Sequence, residues 1–229
     1  KPASPLKWSL QTRLVLRDSF GLIVAGAAVL ILTGLTHDED TWREQLIHAL
    51  FQSVTARTAG YNTIDVAALP MASLLVLILL MYVGGSPGSC AGGIKTTSAA
   101  VWVARVRARL LSREDVTLLD RRIPRDVVRR SALVISVATI WNLVGVFLLT
   151  ITEAAHDGAR LDHLIFEQIS AFATVGLSAN VTPRLSELGK LWITLTMFIG
   201  RVGPLTVALV VIAAPRTSHH LPNERLMIG

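Results

Sequence analysis

Two short segments of the chain carry the same order of residue types. Residues 58–62 read Thr-Ala-Gly-Tyr-Asn, and residues 174–178 read Thr-Val-Gly-Leu-Ser. Each segment follows a short amphipathic stretch and precedes a long apolar one. Glycine tolerates positive φ, so successive carbonyl groups of such a turn can face the same way. Membrane proteins build ion filters from extended turns that point carbonyl oxygens at a dehydrated cation, and the repeated pattern predicts a filter here.

The predicted ion ligands are backbone carbonyl oxygens, because neither turn contains an acidic side chain. A short helix that ends just before each turn would direct the negative end of its dipole at the site and favour a cation. Carbonyl cages suit weakly hydrated monovalent cations better than Mg²⁺, which keeps its waters. Two ordinary Thr- and Gly-containing loops are the alternative, which the matched context disfavours. The candidate ion-binding residues, within filter segments 57–62 and 173–178, are Thr58, Ala59, Gly60, Tyr61, Thr174, Val175, Gly176 and Leu177.

A glycine-rich segment at residues 84–93 interrupts the apolar stretch 66–103. Backbone that is broken at membrane depth must be enclosed by protein or line a water-filled cavity. The segment nearly matches a nucleotide-binding P-loop, but Ile94 intervenes before the lysine, and a P-loop follows a strand of a soluble sheet. We therefore predict a gating loop, with a closely packed helix kink as the alternative. The candidate gating residues are Gly84, Gly85, Gly88, Gly92, Gly93, Lys95 and Arg201.

Arg201 stands in the otherwise uncharged apolar run 191–214. An intramembrane arginine is costly and usually faces a cavity or a partner. The broken segment 84–93 would leave carbonyl groups unpaired, so we predict that Arg201 hydrogen-bonds this loop and adds a positive barrier to the pore. Snorkelling to the membrane interface is the alternative, and the Gly-Pro break at residues 203–204 makes it less natural.

The composition is typical of an all-α polytopic membrane protein. Of 229 residues, 52% are hydrophobic and only 17% are charged, and soluble domains of this length are rarely so apolar. Residues 19–36 and 131–152 contain no charge and are long enough to cross a bilayer. The formal charge of +6 could suggest nucleic acid, but the basic residues cluster at 105–128 and the acidic ones follow the spans. The positive-inside rule makes this Arg-rich loop cytoplasmic, where it could contact anionic lipid or a cytosolic partner.

The layout divides the chain into two copies of one unit. We expect a cytoplasmic lead-in at 1–17, the first unit at 18–104, the Arg-rich loop at 105–128, the second unit at 129–214 and a cytoplasmic tail at 215–229. Each unit should contain a span, a short re-entrant helix, a filter turn and a broken second span. Because each unit has two spans, both copies have the same orientation, as parallel repeats do.

Four motifs together resemble the Trk/Ktr potassium-uptake proteins. They lie at residues 57–63, 84–97, 170–178 and 197–205, and the resemblance covers essentially the whole chain. It implies a K⁺-channel-like fold of four span–pore helix–span repeats around one pore, of which this chain resembles the third and fourth. By the same resemblance, Gly60 and Gly176 are the filter glycines, residues 84–93 are the intramembrane gating loop, and Arg201 faces that loop.

The resemblance also implies an activity and partners. The expected function is uptake of K⁺, or of Na⁺, through a gated filter in the plasma membrane (the inner membrane of a bacterium), without enzymatic activity or a bound cofactor. Family members are usually dimers of the membrane subunit and work with cytosolic nucleotide-binding regulatory subunits. The Arg-rich loop lies on the side where such a subunit would dock, and nucleic acid is not an expected partner.

Two filter turns cannot surround an ion as four do. The opening residues resemble the connection between repeats two and three, so we expect the first two repeats to be missing from this sequence. Assembly of one pore from several copies is the alternative. A non-conducting half-transporter or membrane scaffold is a rival function, and a membrane NTPase that depends on Lys95 is another.

Overall fold

The computed structural model describes residues 8–35, 41–113, 115–154 and 160–203, and most of these residues are helical. The predicted helical class is confirmed at this level, with one small antiparallel hairpin, β1 (Thr117–Leu118) and β2 (Arg121–Arg122). Two 3₁₀ turns lie at Val66–Ala68 and Thr182–Arg184. The α-helices in these ranges are α1 (Leu10–Leu32), α2 (Trp42–Thr55), α3 (Met71–Tyr82), α4 (Thr96–Leu110), α5 (Arg125–Thr152), α6 (Leu161–Ala173) and α7 (Glu187–Val202).

Helices α1 and α5 are long and apolar enough to cross a membrane. They contain 23 and 28 residues, and their apolar windows have mean hydropathies of 2.0 and 2.3, whereas a crossing requires about 20 apolar residues. Large apolar side chains are exposed on both helices, among them Phe20, Leu143 and Phe147. Exposed apolar surface of this kind suits contact with lipid chains.

The predicted segment boundaries differ from the helix ends in two places. The lead-in 1–17 extends into α1, which begins at Leu10, and the Arg-rich loop 105–128 overlaps the last turns of α4 and the first turn of α5. Arginine is a good helix former, and basic residues in a last turn complement the helix dipole. The charges that mark a membrane boundary therefore do not end these helices. The predicted tail 215–229 and residues 204–214 lie outside the described residues.

Each half contains, in order, a long helix, a short helix, a 3₁₀ turn and a further helix. The 3₁₀ turns begin at Val66 and Thr182, and helices α3 and α7 begin at Met71 and Glu187. Both pairs are 116 positions apart, as are the two candidate filter glycines. The halves diverge at the end, because α7 continues to Val202 whereas the helix in the first half stops before its glycine-rich segment.

Each short helix packs closely on the long helix before it, at a glycine. A Cβ on Gly26 of α1 would lie 2.6 Å from Ser53 Oγ of α2, and a Cβ on Gly145 of α5 would overlap the Gln168 amide of α6. Ser53 Oγ also donates to the carbonyl oxygen of Ile23 at 2.9 Å. Close approach at small residues, with polar groups satisfied across the interface, is how helices associate in membranes.

One apolar core joins the two halves. Helix α3 packs along α6, and the core there includes the fully buried Leu77, Met81 and Phe166. Val175 and Leu177 of the second turn belong to the same core. Because protein interiors are close-packed and transmit strain, this core fixes the second turn relative to α3 and to the loop that follows α3.

Glu153 ties the end of α5 to the start of α7. Its buried carboxylate accepts hydrogen bonds from the Ser186 N–H at 2.9 Å and from Ser186 Oγ at 2.6 Å. We expect Glu153→Ala to lower the melting temperature of the detergent-solubilised protein, because stranding buried partners costs ~1–3 kcal/mol. Glu187→Ala is the matched control, since Glu187 is 92% exposed and its pair with Lys190 contributes little. Equal melting temperatures for the two variants would contradict this role.

Candidate ion filter and gate

The structure brings the two candidate filter turns into direct contact. A Cβ on Gly60 would overlap the carbonyl oxygen of Val175 and would lie 3.4 Å from the Gly176 Cα. Ala59 and Gly176 are exposed, so one side of the paired turns is open. Segments 116 positions apart in sequence therefore form one continuous backbone surface.

The backbone of the two turns follows the same course. Thr58 and Gly60 have φ of 74° and 77°, and Thr174 and Gly176 have φ of 53° and 96°. Positive φ is uncommon for any residue with a Cβ and is an outlier for a β-branched one. Strained conformations of this kind persist only where the surroundings hold them, and they cluster at functional sites.

Hydroxyl groups on the short helices hold the far end of each turn. Thr55 Oγ1 of α2 donates to the Tyr61 carbonyl oxygen at 2.6 Å, and Ser170 Oγ of α6 donates to the Leu177 carbonyl oxygen at 2.6 Å. Each carbonyl belongs to the residue after the filter glycine. The side chains differ, because Tyr61 is 73% exposed whereas its counterpart is buried.

A second pair of hydrogen bonds holds the residue that lies two positions after each candidate filter glycine. Gln52 Nε2 donates to Asn62 Oδ1 at 3.2 Å, and Ser178 Oγ donates to Glu167 Oε2 at 2.9 Å. Gln52 and Glu167 are both buried, although one is an amide and the other a carboxylate. The sequence alone predicted no role for Gln52 or Glu167. Their matching positions could have indicated one, since each directly follows the phenylalanine that begins one copy of the repeated motif.

Both short helices end immediately before their turns. Helix α2 ends at Thr55 and α6 ends at Ala173. The C-terminus of a helix carries about half a negative charge from its unsatisfied carbonyl groups. Both helix ends would therefore favour a cation near the paired turns. That these helices are re-entrant pore helices stays a prediction.

The glycine-rich segment forms a loop that is closed at its base. Val83 and Ile94 form an isolated parallel bridge, and the Ile94 N–H donates to the Tyr82 carbonyl oxygen at 3.3 Å. A Cβ on Gly84 would overlap the carbonyl oxygen of Gly92, so the base closes through glycine backbone. The Thr96 N–H donates to the Gly85 carbonyl oxygen at 3.2 Å, which joins the loop to the start of α4.

Three cationic side chains hold carbonyl groups of this loop. Arg57 Nη2 donates to the Gly84 carbonyl oxygen at 3.3 Å, and Lys95 Nζ donates to that of Ser89 at 3.3 Å. Arg201 Nη1 donates to the carbonyl oxygen of Cys90. The structure thus places Arg201 on the loop where the sequence predicted its partner. Arg57 also donates to the Ser19 carbonyl oxygen of α1 at 3.3 Å; this bridging contact was not predicted.

The far side of the loop sits against the second turn. The Gly92 N–H donates to Thr174 Oγ1 at 3.0 Å, and Gly93 approaches Ala173, where a Cβ would meet the alanine methyl at 3.2 Å. Gly88 has φ of 85° and open space around it. The loop is therefore anchored on both flanks and free at Gly88.

A cavity of about 490 Å³ lies between the turns and the loop. Its wall combines residues of both turns with residues of the loop and with the two arginines that hydrogen-bond the loop. The cavity thus brings together candidate filter and candidate gating residues from both halves. Its lining includes Arg57, Thr58, Ala59, Cys90, Thr174 and Arg201.

Comparison with known proteins gives the family. Residues 38–219 match the family model described as TrkH: Cation transport protein. The chain is 34% identical to the potassium/sodium uptake protein NtpJ of Enterococcus hirae, over 97% of this chain and 51% of that protein. It is also 34% identical to the Ktr system potassium uptake protein B of Bacillus subtilis, over 97% of this chain and 50% of that protein.

A solved structure shows the same fold. The potassium transporter TrkH from Vibrio parahaemolyticus matches with a TM-score of 0.71 and 20% identity, over 87% of this chain and 44% of that one. The chain spans about half the length of the curated relatives it matches. Because the family model covers most of its residues, this chain belongs to the TrkH family of cation transport proteins.

Proposed function

We propose that these residues form half of the wall of a gated, K⁺-conducting pore in the plasma membrane. The observation that carries the proposal is the pair of contacting turns, which share positive φ at a threonine and at a glycine and lie at the ends of two helices. Carbonyl oxygens in such turns replace the hydration shell of a weakly hydrated cation. The names of two relatives, a potassium/sodium uptake protein and a potassium uptake protein, are consistent with K⁺ as a transported ion.

The loop 84–93 serves as the gate in this proposal. It borders the same cavity as both turns, and its carbonyl groups are held by Arg57, Lys95 and Arg201. Arg201 latches the loop and adds a positive charge that opposes the passage of cations. Release of these contacts would clear the path beneath the filter.

The remaining wall comes from protein beyond these two repeats. Helix α2 exposes Trp42, Ile47 and Val54 to between 48% and 73%, whereas nearly all of α6 is buried. An apolar helix face beside an open filter suits contact with further pore helices. Two more repeats of the same protein are the favoured source, and a second copy of the chain is the alternative.

The cytoplasmic side carries the regulatory contacts in this proposal. Basic residues line the end of α4 and the hairpin, including Arg105, Arg121 and Arg122. The positive-inside rule puts this region in the cytoplasm. A dimer of membrane subunits that binds a cytosolic nucleotide-binding subunit here is the arrangement we propose.

An NTPase is a weaker candidate. Lys95 Nζ donates to the carbonyl oxygens of Ser89 and Ala91, so its ammonium group is hydrogen-bonded within the loop. A P-loop lysine instead reaches the phosphates of its nucleotide.

Potassium uptake tests the proposal. A strain unable to grow on low K⁺ would express either this chain alone or the chain with the coding sequence upstream of it, at matched membrane levels. We expect rescue by the longer version, because two filter turns enclose only part of an ion. Rescue by the chain alone would indicate assembly from several copies. Failure of both would favour the non-conducting scaffold.

A further inference from the structure

The gating loop and the second filter turn share one hydrogen bond. The Gly92 N–H donates to Thr174 Oγ1 at 3.0 Å, between residues 82 positions apart. Gly92 is buried, and a Cβ there would lie 2.6 Å from this oxygen and 2.7 Å from the Ala173 carbonyl oxygen. The loop is therefore seated on the turn through its backbone, at a position that only glycine fits.

Thr174 also lies where its hydroxyl oxygen could bind an ion. It is the first residue after α6, at the negative end of the helix dipole, and it borders the cavity beneath the turns. Thr58 borders the same cavity from the first turn. A cation that leaves the turns toward the cavity would pass these two residues.

The loop N–H and a cation compete for the same oxygen, because both would use the lone pairs of Oγ1. The positive end of the N–H dipole points at Oγ1 and therefore repels a cation that approaches this oxygen. We propose that Thr174 Oγ1 is a shared acceptor, which binds the loop when the gate is docked and binds the permeating cation when the loop leaves. This inference rests on the proposed pore function and adds the atom that couples gate to filter.

Thermodynamic reciprocity then implies that cation binding favours the undocked state of the loop. If docking of the loop weakens cation binding at Thr174, cation binding weakens docking by the same factor. The net contribution of one hydrogen bond, ~1 kcal/mol, corresponds to about fivefold in the docking equilibrium.

Hydrogen exchange of the Gly92 amide measures the proposed bond directly. The transporter in the form that restores K⁺ uptake would be compared in KCl and in choline chloride at equal ionic strength. We expect K⁺ to raise the exchange rate of the Gly92 amide by about fivefold in the unmodified protein. Thr174→Val should exchange faster without K⁺ and show no further K⁺ response, whereas Thr174→Ser, which keeps the hydroxyl, should retain the response.

Thr194→Val is the matched control, because it removes an exposed threonine hydroxyl on α7 that donates to the Lys190 carbonyl oxygen and leaves the Gly92 contact in place. We expect it to respond to K⁺ as the unmodified protein does. A K⁺-independent exchange rate in the unmodified protein, or an equal K⁺ response in Thr174→Val and Thr194→Val, would overturn the inference. The exchange rate of the unmodified protein is measured without any substitution, so this test does not depend on whether a variant folds.

Uptake of K⁺ and Na⁺ by the same preparation tests the pore assignment separately from the proposed coupling. Selective K⁺ uptake with K⁺-independent exchange would refute the coupling and leave the pore assignment intact. Absence of cation uptake would refute the pore assignment, and the coupling with it.

Discussion

Gly60→Ser is expected to reduce the preference for K⁺ over Na⁺ more than any other single substitution in the two turns. Its Cβ would overlap the Val175 carbonyl oxygen, and its φ of 77° is strained for a residue with a side chain. In the proposed filter this oxygen faces a cation, and displacing it should cost about as much as losing a hydrogen bond to a charged group, ~1.5–3 kcal/mol. That loss corresponds to about 10- to 150-fold in selectivity.

Gly176→Ser should reduce the same preference by a smaller factor. At this position the nearest atom to a new Cβ is the Gly60 Cα at 3.6 Å, which is an ordinary contact, although the φ of 96° remains unfavourable. Competition between ⁸⁶Rb⁺ and Na⁺ for uptake into proteoliposomes measures both effects. Gly21→Ser is the control, because Gly21 lies in α1 with open space around its Cβ position. Unchanged selectivity in both filter variants would remove the filter from these turns.

Arg201→Ala should raise the basal flux of K⁺ in the absence of any regulatory subunit. The substitution removes the hydrogen bond to the Cys90 carbonyl oxygen and a positive charge that borders the cavity. Hydrogen bonds made by a charged donor contribute ~1.5–3 kcal/mol, so the flux through the closed state should rise by about tenfold or more.

Arg201→Lys separates the two roles of this side chain. Lysine keeps the charge but not the planar fork of donors, so a leak as large as that of Arg201→Ala would assign the closed state to the loop contact. Lys190→Ala is the control for loss of a positive charge elsewhere on α7, since its side chain is 44% exposed. A folded Arg201→Ala transporter with unaltered flux would contradict a latch.

The local pattern of the sequence predicted the helices, the paired turns and the broken segment. The two turns could be recognised from the sequence because their threonines and glycines recur in the same context. Arg201 could be recognised because a charged residue is rare in an apolar run. Helix ends were less predictable. Helix α1 begins before the predicted boundary at residue 18, and α4 continues past the predicted boundary at residue 105, because the residues on both sides of each boundary favour helix. Composition marks where a chain leaves the bilayer and does not mark where its helix stops.

Contacts between distant segments could not be read from the sequence. Gly92 and Thr174 meet because the core between α3 and α6 brings the loop beneath the second turn. Arg57 was included in the first filter segment only as a neighbour of Thr58, and its bridge from α1 to the loop depends on how the two helices pack. Neither contact has a local periodicity or spacing that would reveal it.

The contact between Gly60 and the Val175 carbonyl group means that the two repeats share their most sensitive atoms. A side chain added to one turn would displace backbone of the other, so neighbouring substitutions here should not act additively. The two copies of the motif are far apart in the sequence, yet each turn limits what the other tolerates. In the proposed filter, adaptation to a new ion would therefore require paired substitutions across the two turns.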